Sequence, residues 1–371
     1  MSAPAILYVH DLRGSGVVTN AIALAKRLGA ERETILCAAY GKGLNREVDV
    51  SPARLVVLSH GPAPRAAEAG RARTAAAAKL RRLIGATGTG LVVSMGNLGH
   101  RTVFRATLFK RVQKFYRVSN EIGRPQASLR KNFRRRGRHR ALLATANRII
   151  LVGRALAEQP LFKRAVRKGK AVYIPNGVDV DCARREALAP SPHPWFGNGG
   201  PPIVLTVGRI HPQKNLEGLI DAAALAMRER PLRLIIVGSG DADRIAALKE
   251  QARALGIGES VLFAGETSNV FAWLARADLF ALVSHWEGSS TALLEAMAIG
   301  MPVLASRQAG DAASVLGEGQ FGALVDAGNP HDIAAAILRQ LGEGAVLPGD
   351  RIDEYRLERT HDRYLEIFRA L

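Results

Sequence analysis

The chain has 371 residues, 47% of them hydrophobic, and carries 52 Lys and Arg against 33 Asp and Glu, a formal net charge of +19. That length predicts two domains, and no window approaches the roughly 18 consecutive apolar residues of a membrane span. The two cysteines, Cys37 and Cys182, have neither paired nor metal-type spacing, which predicts reduced, packed thiols and excludes a disulfide framework.

Residues 1–10 lack a basic start and a long apolar core, so no secretory leader is expected. Residues 5–9 read as a buried strand and 17–28 as an amphipathic helix. Between them lie Gly14 and Gly16, where backbone can approach a ligand and a helix N-terminus can hold an anion. The sixth-position glycine of a dinucleotide fingerprint is missing, and a plain tight turn accounts for the pair equally well. Strand-like runs recur at 33–38, 54–58, 91–94, 114–119, 148–152 and 171–174, with helical runs between them. Such alternation predicts a parallel, doubly wound sheet.

Charge is uneven along the chain: residues 1–180 hold 34 Lys and Arg against 9 Asp and Glu, and residues 181–371 hold 18 against 24. A basic half implies an acidic partner: nucleic acid, an anionic membrane or a phosphorylated substrate. The strongest patch spans 101–140. Residues 101–117 begin as a basic helix in which Val103, Phe104, Leu108, Phe109 and Val112 share a side ringed by Arg101, Arg105, Lys110, Arg111 and Lys114. Then come Arg124, Arg130, Lys131, Arg134, Arg135, Arg136, Arg138 and Arg140, with no acidic residue among 124–140. The combination fits an anionic lipid surface. Phe133 is the sole aromatic of that run and no nucleic-acid motif accompanies it, so base stacking is poorly supported.

Residues 175–179, Pro-Asn-Gly-Val-Asp, read as a structural turn. The Pro- and Gly-rich stretch 186–201 reads as an interdomain linker. The strand–helix pattern then restarts, with strands at 202–207, 232–237, 260–264 and 280–284 and helices at 215–227 and 243–255. Arg209 and Lys214 share the loop after the first of these strands, before a helix that Asn215 is placed to cap. Two cations in a strand-to-helix loop suit a diphosphate.

The most telling stretch is 285–306, HWEGSSTALLEAMAIGMPVLAS. Gly288, Ser289, Ser290 and Thr291 read as a helix N-terminus. Glu287 falls in the loop before it and Glu295 more than one turn inside. Two carboxylates at different depths around an anion-binding helix end suit a nucleotide-sugar, and a loop between a parallel strand and a helix is where open α/β sheets bind ligands. His10, His100, His211 and His285 are scattered, without the spacing of a metal site.

With these residues the chain resembles the retaining glycosyltransferases of family four, built on the two-domain GT-B fold. The resemblance rests on residues 207–215 (VGRIHPQKN), 234–240 (LIIVGSG), 263–265 (FAG), 284–288 (SHWEG), 294–303 (LEAMAIGMPV) and 322–326 (GALVD). It is looser over Gly14 to Gly16 and residues 174–179. It implies two Rossmann-like domains facing a central cleft: a basic acceptor-side domain over 1–185, a donor domain over 202–355, and a C-terminal helix over 356–371 that crosses back to the first domain. It further implies that Arg209 and Lys214 neutralise the donor diphosphate and that Glu295 binds the ribose. Glu287 would contact the transferred sugar, the backbone of Ser290 and Thr291 would hold sugar or phosphate oxygens, Gly16 would admit the phosphates, and Gly265 and Glu266 would line the base. Many members carry a histidine after a first-domain strand. Here that stretch reads Arg117-Val-Ser-Asn-Glu-Ile122, with Asn120 or Glu121 in its place.

The expected activity is therefore transfer of a sugar from a UDP- or GDP-sugar to a glycan or lipid-linked acceptor, without a metal or other cofactor. The expected location is cytoplasmic, peripheral to the inner face of the cell membrane. The rivals are an epimerase or phosphorylase on the same fold, for which no convincing acid–base pair is found, and a non-catalytic module that binds an anionic polymer.

Overall fold

The structure is a computed structural model that describes residues 3–370 apart from Gly14, 42–47, 65–67, 121–136, Arg138 and Asn198. The expected roles of Gly14, Glu121, Arg134, Arg135 and Arg136 therefore fall outside the described residues. The chain divides into two compact units. Unit 1 is Met1–Pro175 together with His361–Leu371, and unit 2 is Asn176–Thr360.

Unit 1 holds β1 (Ala5–Asp11), β2 (Thr34–Tyr40), β3 (Arg54–Val57), β4 (Leu91–Ser94), β5 (Gln113–Val118), β6 (Arg148–Leu151) and β7 (Ala171–Tyr173). They form one sheet in the order β3-β2-β1-β4-β5-β6-β7, with every neighbouring pair parallel. Helices α1 (Gly16–Gly29) and α2 (Ala69–Thr87) cover opposite faces. Side chains alternate along each strand. Ile6, Tyr8, Ile35 and Cys37 pack with Leu80 and Ile84 of α2, while Leu7, Val9 and Leu36 pack with Leu24 and Leu28 of α1. Burial on both faces explains why these strands read as continuous apolar runs.

The basic helix expected around 103–112 is only α3 (His100–Ala106). It stops because the Thr107 hydroxyl donates to the Val103 carbonyl at 2.7 Å, a local bond that competes with further helix, and Phe109 then takes a positive φ of 58°. Val103 is buried in the core and Phe104 packs against it. The apolar side of α3 thus faces the protein, not a membrane. Leu108 and Phe109 are the exposed apolar pair, Phe109 at 98%. They sit where β5 begins, at the edge opposite to the strand ends. Arg105 and Arg111 are exposed, Arg101 and Lys110 half-buried, and Lys114 lies within β5.

Unit 2 repeats the architecture with β8 (Ile203–Val207), β9 (Arg233–Val237), β10 (Val261–Gly265), β11 (Leu279–Leu282), β12 (Val303–Ser306) and β13 (Ala323–Val325). Their order is β10-β9-β8-β11-β12-β13, again with parallel pairs throughout. Its helices include α4 (Val180–Glu186), α5 (Leu216–Met227), α6 (Thr291–Ala298) and α7 (Pro330–Gln340). Ile203, Leu205, Ile235 and Val237 pack on one face with Leu293 and Met297 of α6, and Val204, Leu234 and Ile236 on the other with Leu219 of α5 and Ile337 of α7.

Unit 2 begins at Asn176, ahead of the expected first-domain end at 185, because residues 176–185 also cluster with it. Residues 186–201 belong to unit 2 rather than forming a linker. Trp195 and Phe196 pack against that unit's core, and the Arg233 guanidinium lies 4.9 Å over the Trp195 ring. Pro and Gly marked a wrapped segment here, because aromatic side chains anchor it. The C-terminal helix α8 (Leu357–Arg369) starts in unit 2 and enters unit 1 at His361. There Tyr364, Leu365 and Phe368 join the core beside α1. Buried Arg117 on β5 donates to the Tyr364 hydroxyl at 3.0 Å and to the Met95 carbonyl at 2.9 Å.

Candidate active site

In unit 2 the strand order reverses between β8 and β11, and crevices at such switch points are where open α/β sheets take ligands. The loops that leave these two strands carry Arg209, Lys214 and Glu287. Lys214 Nζ lies 2.7 Å from Glu287 Oε1. The Ser284 hydroxyl donates to the same oxygen at 3.0 Å, and the Gln213 amide donates to Glu287 Oε2 at 3.0 Å. Glu287 is 9% exposed. Its carboxylate therefore has three donors, as a buried charge requires.

Backbone bonds hold the two loops together. The His285 N–H donates to the Gln213 carbonyl at 2.9 Å, and the Ser306 hydroxyl donates to the Ser284 carbonyl at 2.6 Å. His211 Nδ1 accepts the Gln213 N–H at 3.2 Å, which places its proton on Nε2. Burial, followed by the cations Arg209 and Arg244, holds that imidazole below its ordinary value, in keeping with the neutral tautomer. Asn215 does not cap α5 with its side chain. It donates instead to the Ala327 carbonyl at 2.7 Å, tying the loop after β13 to the site.

Arg209 is exposed and makes no hydrogen bond among the described residues. Lys214 instead has a carboxylate partner already. Its stem crosses Gly208: a Cβ there would stand 2.8 Å from Lys214 Cε. Ser290 takes the N-cap position of α6 without a side-chain capping bond, and Thr291 is the first helical residue. The Asn176 amide donates to the Ser289 carbonyl at 2.9 Å, so the turn read as mainly structural reaches this loop. Glu295 makes no side-chain hydrogen bond among the described residues. By its exposed surface Glu295 is half-buried, but the atoms packed around its carboxyl desolvate it and push it up to about 7, with Lys214 pulling the other way.

The loop after β10 joins the same edge. Gly238 N–H donates to the Gly265 carbonyl at 2.7 Å, and Gly208 N–H to the Val237 carbonyl at 2.9 Å. Glu266, exposed, accepts from the Ser239 hydroxyl. In unit 1, Gly16 opens α1 behind the N-cap Ser15, whose hydroxyl accepts the Val18 N–H at 3.4 Å. Asn120 follows β5, its carbonyl accepting from the Asn97 amide at 2.8 Å. Unit 2 thus brings Lys214, Glu287 and the Ser290–Thr291 helix end together, with Glu295 on the following helix. Sequence reasoning missed Gln213, Ser284 and Asn176. Gln213 and Ser284 lay inside motifs already singled out, but nothing in their spacing marked them as partners of Glu287. Among the described residues no group of three His, Cys, Asp or Glu side chains is placed to hold a metal ion, and no helix is long and apolar enough to cross a membrane.

Residues 193–346, within unit 2, match the family described as Glycosyl transferases group 1. Among curated relatives, a D-inositol 3-phosphate glycosyltransferase of Nocardiopsis dassonvillei is 30% identical over 249 residues, covering 62% of this chain and 57% of that protein. The Vi polysaccharide biosynthesis protein VipC/TviE of Salmonella typhi is 37% identical over 121 residues, covering 32% and 20%. The matched stretch spans less than two thirds of either relative. Among solved structures, Anabaena HepE in complex with UDP-glucose superposes with a TM-score of 0.79 at 19% identity, covering 100% of both chains. A sucrose-phosphate synthase of Thermosynechococcus elongatus does so with a TM-score of 0.79 at 19% identity, covering 100% of this chain and 99% of that one. At that identity the likeness shows the fold: two parallel-sheet Rossmann-like domains of the GT-B type. An epimerase, a phosphorylase or a non-catalytic module is not favoured by these matches.

Proposed function

We propose that the protein is a retaining glycosyltransferase of family four that moves a sugar from a UDP- or GDP-sugar to a glycan or lipid-linked acceptor. The observation that carries this reading is the meeting of Lys214 and Glu287 at 2.7 Å across the switch point of unit 2. In this reading unit 2 binds the donor and unit 1 the acceptor. Arg209 and Lys214 face the diphosphate, where negative charge grows as the bond to the sugar breaks, so fixed cations lower the barrier. Glu287 orients the sugar, and the Ser290 and Thr291 N–H groups meet its oxygens or the phosphates. Gly16, with Asn120 or Glu121, is assigned to the unit 1 side, and Gly265 and Glu266 to the base. Neutralisation by side chains needs no metal. A panel of UDP- and GDP-sugars, with and without EDTA and with a lipid-phosphate acceptor, tests the reading. Transfer that survives EDTA with inversion at the anomeric carbon would reject the retaining assignment, and no turnover of any donor would reject the whole.

Glu295 is assigned to the ribose hydroxyls. A charge-assisted hydrogen bond contributes about 1.5–3 kcal/mol, so Glu295→Ala should weaken nucleoside diphosphate binding roughly tenfold or more. Because burial raises this carboxyl from 4.5 to about 7, its contribution to folding stability is full below its unfolded value and lost as pH rises through the folded one. Ribose hydroxyls donate to the ionised form, so binding releases a proton. Affinity should strengthen by up to about tenfold between pH 6 and 8, and Glu295→Gln should remove that gain. Titration calorimetry at several pH values decides it: parallel profiles for wild type and variant would refute the ribose role.

The excess charge of the first half supports a further part of the proposal, that unit 1 rests on anionic lipid at the inner face of the cell membrane. Leu108 and Phe109, with Arg105, Lys110 and Arg111 beside them in sequence, supply an apolar tip and charge. Each cation near such a surface contributes about 1 kcal/mol. Vesicle co-sedimentation should require anionic lipid, fall with salt, and drop in Phe109→Ser and in the triple change of Arg134, Arg135 and Arg136 to Ser. Equal binding to neutral and anionic vesicles would remove the membrane claim.

A further inference from the structure

We infer that Gln213, seconded by Ser284, is a positioning residue that keeps the Glu287 carboxylate ionised and aimed while Lys214 turns from it to the donor's diphosphate. The inference rests on the glycosyltransferase reading and goes beyond it. The three donors to Glu287 differ in kind. Lys214 is a cation on a four-carbon stem, its side chain 16% exposed. Gln213 and Ser284 are neutral and buried, at 6% and 0% exposure. The Gln213 backbone is fixed on both sides, its N–H on His211 Nδ1 and its carbonyl under the His285 N–H. The Ser284 carbonyl is held by Ser306. Of the three, Lys214 is therefore the one built to move.

The chemistry explains why neutral donors stand there. A diphosphate beside Lys214 competes with Glu287 for the same ammonium. A buried carboxylate that loses its cation either takes up a proton or shifts toward water. Two neutral donors on different oxygens, Gln213 on Oε2 and Ser284 on Oε1, oppose both outcomes. A second cation at Gln213 would hold the carboxylate as well, but it would add an ion-pair partner for the phosphates. An amide fixes geometry without drawing the diphosphate toward the sugar-binding carboxylate.

Two variants test this, with UDP or GDP as the binding probe and hydrolysis of whichever sugar donor the panel selects as the turnover probe. Gln213→Leu should lower kcat by about 10- to 100-fold, change the dissociation constant for the nucleoside diphosphate by less than about threefold, and shift the acidic limb of the kcat profile upward. Gln213→Glu conserves size but places a carboxyl where the amide stood. It should be as impaired as Gln213→Leu at pH 8 and recover as pH falls, when the carboxyl pair shares one proton. That recovery is a readout that simple loss of packing does not give, and it stands even if Gln213→Leu fails to fold. Wild-type turnover in both variants at every pH overturns the inference and leaves the glycosyltransferase reading intact. So does equal loss of turnover and nucleotide binding without pH-dependent recovery. A wild-type protein that neither binds the probes nor turns over any donor overturns both.

Discussion

Lys214→Ala should lower turnover by about 10²–10³, while affinity for the nucleoside diphosphate falls by no more than about tenfold. The difference follows from where the charge is. The ammonium lies 2.7 Å from Glu287, and in the proposed reaction the donor's diphosphate would have to compete for it. On the proposed reading, charge on the leaving phosphate would grow as the glycosidic bond breaks and turn the competition in its favour, so the cation would act chiefly in the transition state. The substitution also leaves the Glu287 carboxylate with two neutral donors. Breaking a buried pair in this way costs several kcal/mol; with Lys214 16% exposed, about 1–3 kcal/mol is expected. Arg209→Ala should show the same kinetic direction with an unchanged Tm, because Arg209 is exposed. Steady-state kinetics with thermal unfolding separate the two effects. A rise in KM with kcat intact would contradict the transition-state role of either cation.

Gly238→Ala should destabilise unit 2 by about 4 kcal/mol or more. Gly238 has a φ of 141°, a region that L side chains rarely enter. A Cβ there would stand 1.9 Å from the Gly208 carbonyl oxygen. No rotamer relieves that overlap, since the group struck is backbone. Relief requires the loops after β8 and β9 to part, which breaks the Ile210 N–H bond to the Ser239 carbonyl at 2.7 Å and displaces Lys214. Stability and nucleotide binding should therefore fall together. Denaturant unfolding followed through Trp195 and Trp273 reports on unit 2, and a midpoint within about 0.3 M urea of wild type would refute the steric argument.

The elements themselves were legible in the sequence. Strands buried on both faces leave unbroken runs such as Leu234-Ile-Ile-Val237, and α1 spans Gly16–Gly29 where residues 17–28 were expected. The placing of Glu287 in the loop and Glu295 inside the next helix was legible too, because small polar residues mark the N-terminus of α6 at Ser290 and Thr291. Local pattern misled where tertiary contacts decide. The apolar positions of 101–112 share a helical period, yet α3 stops at Ala106 and turns Val103 into the core. The Pro-rich stretch at 186–201 had the composition of a linker, yet Trp195 and Phe196 fasten it to unit 2.

What the sequence by itself determined is which residue types stand in which loop: Arg209 and Lys214 after one strand, Glu287 and Glu295 around the next helix end. What only the tertiary structure decided is who holds whom. Strand order set β8 beside β11 although 71 residues separate Val207 from Leu279, and sequence spacing carries no record of that adjacency. It placed Gln213, Ser284 and Lys214 on the Glu287 carboxylate. A buried charge must be met by donors, but which donors meet it depends on where separate loops come together.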